Sequence, residues 1–230
     1  METFRTNTYI LKCPCCGTEK EVGFSSAFNT MGDYQLWSDS RIEGKGWLVP
    51  AYTQQCPNCA TFYTLPPRKS LKIKKQECTD TGFLPLDKLK LAIVEFAGDE
   101  IAEPRARLEA WWAFNSLYHD PMNAPVEEQE FNKSNMQWLI DFHTPRSTRF
   151  SHLLFELNRL LGNKDICEEM INALSYEEFI KQRKQYCKDN NIKDDIDGLD
   201  ETLLKRRYED LVNELEYALK QPLKTFVKSL

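Results

Sequence analysis

The sequence predicts an α+β fold, mostly α, in which a small β ribbon precedes an antiparallel array of helices. Two C-P-x-C turns, Cys13-Pro14-Cys15-Cys16 and Cys56-Pro57-Asn58-Cys59, lie near the start of a 230-residue chain. Short runs of β-branched and aromatic residues flank both turns, as is typical of strands. From Leu84 onward, the apolar residues recur with the 3.6-residue period of amphipathic helices.

The two turns predict a site for one structural zinc ion. In each turn, two intervening residues let both sulfurs point to the same side, and a proline presets φ near −65°. Gly17 allows a positive φ where the chain leaves the first turn. Four thiolates close a tetrahedral shell, whereas a catalytic zinc keeps one position open. The predicted ligands are Cys13, Cys16, Cys56 and Cys59.

A cytoplasmic location is expected, and it favours metal over disulfides. Residues 1–12 lack the apolar segment of a signal peptide, and no apolar run approaches the roughly 20 residues of a membrane span. In a reducing compartment, paired C-x-x-C motifs are more often metal ligands than disulfides. Cys15 could compete as a ligand, but Cys13 and Cys16 have the standard C-x₂-C spacing.

The first predicted domain, residues 1–67, is the zinc ribbon with an aromatic insert. Residues 8–11 are predicted to form a strand that leads into the first turn, and residues 19–24 its hairpin partner. Residues 61–65 are predicted to form a strand after the second turn.

The insert between the turns carries more aromatic residues than a solvated loop needs, and it supplies candidate binding residues. The aromatics are predicted to form a small core over the zinc site; the alternative is a platform that stacks bases or a groove for a peptide. Asp39 and Arg41 form either a structural ion pair or a ligand contact. The aromatic residues are Phe28, Tyr34, Trp37, Trp47 and Tyr52.

Residues 68–83 are predicted to form a basic and polar linker. Such a charge run is usually a solvated hinge, and contact with phosphate is the alternative. Residues 1–83 carry 10 Lys and Arg against 8 Asp and Glu, and residues 84–230 carry 20 against 27. The overall field of this acidic protein therefore does not attract nucleic acid, and only the local cluster keeps that function open. The cluster consists of Arg68, Lys69, Lys72, Lys74 and Lys75.

Residues 84–230 are predicted to form a TPR-like helical domain of seven helices. Pro104 is expected near the start of the second helix, Ser147 or Thr148 to cap the fourth, and Ser175 to open the sixth. The segment Leu157-Asn158-Arg159-Leu160-Leu161-Gly162, followed by a further helix, has the leucine and glycine pattern of a TPR helix pair. Gly98 likewise follows a predicted helix, 64 residues before Gly162. The predicted helices cover approximately residues 87–97, 104–118, 126–144, 148–161, 165–174, 176–190 and 200–221.

The order of these features resembles a group of uncharacterised bacterial proteins that carry a CpXC-type zinc ribbon fused to helical repeats. The resemblance lies on Cys13-Pro14-Cys15-Cys16-Gly17, on Asp39-Ser40-Arg41, on Trp47, on Cys56-Pro57-Asn58-Cys59 and on residues 157–162. It implies a zinc ion and a scaffold, and no reaction. Many relatives have Gly or Asn after the second cysteine pair, where this chain has Ala60.

The sequence favours binding over catalysis. It contains no phosphate-binding glycine loop, no G-x-S-x-G and no H-E-x-x-H, and its three histidines, His119, His143 and His152, are expected at helix ends or on the surface. The leading hypothesis is a non-enzymatic adaptor whose helical grooves bind a protein partner. The alternative is a nucleic-acid-binding protein that uses the ribbon and the basic cluster. An enzyme is the third hypothesis; no small-molecule substrate and no membrane contact are expected.

Overall fold

The computed structural model describes residues 6–25, 34–36, 42–44, 51–66, 71–74, 80, 82–147, 151–189 and 201–221. These residues form short antiparallel strands in the first third of the chain and helices thereafter, which confirms the α+β class. The strands are β1 (Thr6–Lys12), β2 (Glu19–Ser25), β3 (Tyr34–Leu36), β4 (Ile42–Gly44), β5 (Thr53–Gln55), β6 (Phe62–Thr64) and β7 (Lys72–Lys74).

The largest sheet has β1 in the middle, between β2 and β7, with both pairings antiparallel. The β1–β2 hairpin was predicted from the sequence, and it encloses the first cysteine turn. β7 was not predicted, because Lys72 to Lys74 were assigned to the linker. Tyr9 faces Val22 on one side and Ile73 on the other. The sheet therefore includes Lys72 and Lys74 of the basic cluster.

The second cysteine turn lies in another hairpin. β5 pairs antiparallel with β6, and Thr53 faces Thr64 while Gln55 faces Phe62. The strand after Cys59 was predicted, but its partner β5 was not. A further two-stranded sheet joins β3 and β4.

The described residues form seven α-helices, as the periodicity predicts. Several boundaries differ from the prediction by one to four residues, and the differences at the start of α2 and of α4 have a clear physical cause. The helices are α1 (Leu86–Glu95), α2 (Ala102–Leu117), α3 (Val126–His143), α4 (His152–Leu161), α5 (Lys164–Ala173), α6 (Tyr176–Asp189) and α7 (Glu201–Leu219).

α2 begins two residues before Pro104 because Asp99 organises its first turn. The Asp99 carboxylate accepts the amide hydrogens of Ile101 and Ala102, both at 2.8 Å. These two bonds lower the pKa of Asp99, and the bond from the Ala102 amide has the larger effect. Glu103 adds a bond from the Gly98 amide at 2.7 Å, so the helix start is held by side chains on both sides of it.

α4 is capped by Ser151 rather than by Ser147 or Thr148. The Ser151 hydroxyl accepts the Leu154 amide hydrogen, which is the N-cap bond. At the other end, Gly162 has φ +81°, and its amide bonds the last turn of the helix. α5 follows directly, so α4 and α5 form a helical hairpin of two ten-residue helices.

The described part of the chain divides into two compact units, with the boundary inside α3 after Asn135. The first unit contains the ribbon strands together with α1 and α2. Its helical core joins α1 and α2 to one ribbon residue, Phe62. The three-part division at residues 67 and 83 stays a prediction.

The second unit contains α4 to α7. Leu204 of α7 packs against Tyr176 and Ile180 of α6, and the Tyr208 hydroxyl of α7 donates to the carbonyl of Leu174 at 2.7 Å. α5 buries Cys167, whereas the neighbouring Ile166 is 45% exposed. Among the described helices, none has the length and apolar character that crossing a membrane requires.

Candidate metal centre

The four cysteines of the two turns converge on one point. Their sulfur atoms all lie within 4.8 Å of one another. Cys13 Sγ is 3.7 Å from Cys59 Sγ, and Cys16 Sγ is 3.5 Å from Cys56 Sγ. Four sulfurs at about 2.3 Å from a central zinc ion would be roughly 3.8 Å apart, so the cluster has the dimensions of a tetrahedral metal site. All four cysteines are free, and no pair forms a disulfide.

The two turns share one backbone pattern, although they differ in sequence after the second cysteine. In the first turn, the Cys13 amide donates to Thr18 and the Gly17 amide donates to Cys13, at 2.9 and 3.0 Å. In the second turn, the Cys56 amide donates to Thr61 and the Ala60 amide to Cys56, both at 3.0 Å. Each turn is therefore closed by the same pair of bonds.

Gly17 and Ala60 occupy equivalent positions and both have positive φ, at +74° and +59°. Gly17 was expected in this conformation. Ala60 adopts it as well, although its Cβ makes the left-handed region unfavourable. The departure from glycine thus leaves the turn geometry intact.

A threonine follows each turn and bonds to its second cysteine. Thr18 Oγ1 lies 3.2 Å from Cys16 Sγ, and Thr61 Oγ1 lies 3.3 Å from Cys59 Sγ. The hydrogen bond with the Thr18 side chain is the largest of the effects that lower the pKa of Cys16 to about 5, and the equivalent bond with Thr61 lowers the pKa of Cys59. These two hydroxyls favour the thiolate, which is the form that binds metal.

A small apolar core supports the cluster from the sheet side. Tyr9 and Phe24 stack with ring centroids 3.7 Å apart. Tyr63 of β6 packs in the same core, where burial, followed by the charges of the cysteines, raises its pKa to about 12. This core also contains Leu11, Val22, Cys13 and Cys56. Within the described residues, this core is built from strand side chains. The insert aromatics predicted to cover the site do not belong to it: Tyr52 is 37% exposed, and Phe28, Trp37, Trp47 and the side chain of Tyr34 lie outside the described residues.

The cluster fits a structural metal ion. Four sulfur donors at tetrahedral spacing are the donor set of structural zinc sites, and they leave no position for a substrate or a water molecule. Two of the four, Cys13 and Cys56, are buried, and Cys59 is partly buried. When bound, such an ion supplies crosslinking of the two turns; the threonine hydroxyls and the backbone bonds hold the sulfurs in place for it.

Glu109 of α2 is a residue of this region that sequence analysis missed. Its carboxylate is 2% exposed, and it accepts the amide hydrogens of Tyr52 and Thr53, the latter at 2.9 Å. Burial raises its pKa to about 7, against the opposing effects of these bonds and of the Arg105 charge. The one signal in the sequence is that α2 is apolar on nearly all sides, which predicts that it is covered on two sides.

Most of the predicted binding residues lie outside the described residues. These are Trp37, Asp39, Arg41, Trp47, Arg68, Lys69 and Lys75, and their role stays a prediction. Lys72 and Lys74 are described: both are exposed on the edge strand β7, and Lys74 pairs with Glu21 of β2.

The fifth cysteine of the two turns, Cys15, and the three histidines are not part of the cluster. Cys15 is exposed and is not one of the four converging residues. His143 is the last residue of α3 and His152 the first of α4, while His119 follows α2, so all three lie at helix ends as expected. None of them belongs to the metal cluster found among the described residues.

Comparison with known proteins does not assign the chain to a family. No protein family, no curated protein and no solved structure matches the chain. The likeness to CpXC-type proteins therefore stays an interpretation of the cysteine turns.

Proposed function

We propose that the protein is a non-enzymatic, zinc-binding adaptor, in which one structural zinc ion holds the ribbon and the helices bind a protein partner. The observation that carries the proposal is the closed cluster of four sulfurs, all within 4.8 Å of one another. A shell of four thiolates stabilises a fold and offers no site for reaction. The ion then supports a surface instead of a reaction.

The exposed apolar residues of α1 support the binding part of the proposal. α1 buries Leu89 and Ile93 on one face, yet Leu91 and Val94 are 55% and 75% exposed. Residues three apart are neighbours on a helix, so these two side chains form an apolar pair that a partner can cover. The α4–α5 hairpin offers a second helical surface, and the TPR-like arrangement is part of the proposal.

Metal content tests the first part. The full chain, purified under reducing conditions, is expected to contain one zinc per chain by inductively coupled plasma mass spectrometry. Cys16→Ser and Cys59→Ser are expected to lose it. Cys15→Ser is the matched control, because it changes an exposed cysteine of the same turn outside the cluster, and it is expected to keep the ion. A wild-type chain without metal would contradict the proposal.

Affinity capture from the native host tests the second part. A Leu91→Ser/Val94→Ser variant is expected to lose a partner that the wild type captures, with an unchanged melting temperature because both side chains are exposed. Val126→Ser, which changes another exposed apolar residue, is the control and is expected to retain the partner. No captured protein, or equal capture by all variants, would count against the adaptor.

Binding to nucleic acid is the second candidate, and the placement of Lys72 and Lys74 on one exposed edge strand favours it. Because Lys74 pairs with Glu21, Lys72 is the cleaner position to change. Lys72→Glu is expected to weaken binding to single-stranded DNA and to reduce the salt slope by about 1, whereas Lys133→Glu, an exposed control on α3, leaves both unchanged. Absent or salt-independent binding of the wild type would remove this candidate.

A further inference from the structure

The β5–β6 hairpin is shared between the metal site and the first two helices. Phe62 packs in the helical core with Leu89 and Phe114, while its neighbour Tyr63 packs in the ribbon core with Cys13. Successive residues of a strand point to opposite faces, which explains how one short strand serves two cores. The metal site therefore lies on one face of the β5–β6 hairpin, and the helix pair packs on the other face.

Glu109 links the β5–β6 hairpin to α2 through hydrogen bonds. Both of its carboxylate oxygens accept backbone hydrogens of the hairpin, Oε1 from Tyr52 and Oε2 from Thr53. Arg105, one turn earlier on α2, lies over the Tyr52 ring with its guanidinium carbon 5.3 Å from the ring centroid. A buried carboxylate is stable only when donors satisfy it, so Glu109 requires the hairpin to be in place.

The same hairpin carries two of the four sulfurs. β5 ends at Gln55, and Cys56 follows directly; Cys59 stands three residues before the start of β6. Metal–sulfur distances tolerate deviations of about 0.2 Å, so a shift of β5 on α2 misplaces the sulfur of Cys56. The position of the hairpin thus affects both the metal site and the helix pair.

We propose that loading of the four-cysteine site is coupled to the folding of α1 and α2, and that Glu109 is the positioning residue that couples them. Without the metal, the second turn loses its crosslink and the hairpin loosens. Glu109 and Phe62 then lose their partners, and the helix pair opens more often. Coupling between two equilibria is reciprocal, so opening of the helix pair also weakens metal binding.

Amide hydrogen exchange of the full chain, followed by mass spectrometry with and without a chelator, tests the coupling. The inference rests on the proposed metal binding, so zinc content is measured first. Chelation is expected to lower the protection of amides in α1 and α2 by at least about tenfold in the wild type. Absence of metal overturns the proposed function and this inference together, whereas bound metal with unchanged exchange in α1 and α2 overturns the inference alone.

Two matched variants separate a coupling role from a merely stabilising one. Glu109→Gln keeps the shape of the side chain but replaces one acceptor oxygen by an amide NH2 group, which donates, and Glu103→Gln makes the same change on the same helix. Glu103 is also buried and also accepts a backbone hydrogen, but from Gly98, and it pairs with Arg107. Both variants are expected to bind one zinc.

The chelation response distinguishes them. In Glu109→Gln, protection of α1 and α2 is expected to change by less than about twofold on chelation, whereas Glu103→Gln retains the tenfold response. Equal responses in the two variants overturn the role of Glu109. If Glu109→Gln fails to fold, Phe62→Leu replaces it, because this change loosens the packing of the β5–β6 hairpin on α1 and α2. A smaller change in amide protection on chelation then supports the coupling, and a change equal to that of the wild type overturns it.

Discussion

Ala60 has the backbone conformation that glycine favours. In the first turn Gly17 has φ +74°, and in the second Ala60 has φ +59°. For an L-residue with a Cβ, the left-handed region costs roughly 1–2 kcal/mol. Since the closing bonds of the two turns match, the second turn maintains this strained residue through its bonds and its metal ligands.

Ala60→Gly is expected to raise the free energy of unfolding of the metal-loaded protein by about 0.5–1 kcal/mol, because relief of strain outweighs the greater freedom of the unfolded glycine. Urea denaturation measures this. Gly17→Ala is the mirror control and is expected to lower the free energy by a similar amount; a Cβ at Gly17 meets only Lys12, at 3.5 Å, so strain and not collision is measured. Changes of equal sign would contradict the explanation.

Glu109 is expected to make stability depend on pH. Burial raises its pKa from 4.5 to about 7 in the folded protein. The folded state therefore holds the proton more tightly than the unfolded state, and the contribution is fully present below pH 4.5 and is lost as the pH rises through about 7. Full loss amounts to roughly 3 kcal/mol.

The measurement is the difference in free energy of unfolding between wild type and Glu109→Gln from pH 5.5 to 8, since subtraction removes the titration of the cysteines. The wild type is expected to lose stability relative to the variant over this range. A difference that is constant with pH would show that Glu109 does not titrate there. Arg105 is the charged residue that opposes the shift.

At the scale of the element, α4 is less apolar inside than its sequence indicates. Its leucines predict a simple amphipathic helix, yet Glu156 and Arg159 are both buried and form two bonds of 2.7 and 2.8 Å. Asn158 is buried beside them and donates to the Leu154 carbonyl. The buried face of α4 is thus partly ionic, and its charges depend on each other.

Glu156→Gln is expected to lower the free energy of unfolding by about 3–5 kcal/mol, because it removes the carboxylate that forms two bonds with the buried Arg159 guanidinium. The double variant Glu156→Met/Arg159→Leu is expected to lose much less, since no charge then remains buried at these positions. Urea denaturation of both variants tests this. A double variant as unstable as the single one would show that packing, not charge, is the cause.

Local chemistry explains which elements the sequence predicts. The cysteine turns and the helices depend on residues close together in the chain, and Cys13, Cys16, Cys56 and Cys59 were predicted from spacing alone. The bond between Thr53 and Glu109 joins residues 56 positions apart, and no local pattern shows it. β7 escaped prediction because three residues, Lys-Ile-Lys, are too few to show a strand period against a run of positive charge.

At the scale of the whole molecule, the chain divides at Asn135, and the metal site belongs to the first of the two units. Within that unit, the ribbon sheet, the β5–β6 hairpin and the α1–α2 pair share cores through Phe62 and Tyr63. Phe62 therefore joins the ribbon to the first two helices, while the division of the chain at residues 67 and 83 stays a prediction. The metal ion is expected to stabilise more of the chain than the ribbon.

Chelation is expected to increase amide exchange in β1, β2, β5, β6, α1 and α2, and to leave exchange in α4 to α7 within about twofold of the metal-loaded protein, because the elements packed on the metal site belong to the first unit. Hydrogen exchange with mass spectrometry resolves both regions in one experiment. Faster exchange throughout α4 to α7 would show that the two units unfold together.

Phe62 and Tyr63 are neighbours in β6 and pack in opposite cores. The number of residues between Cys59 and Phe62 therefore determines which ring faces which core. One added residue between Cys59 and Phe62 would turn the phenol toward the helices and the phenyl ring toward the sulfurs, whereas two added residues would restore the original orientation. Length changes at this point should therefore be tolerated only in pairs.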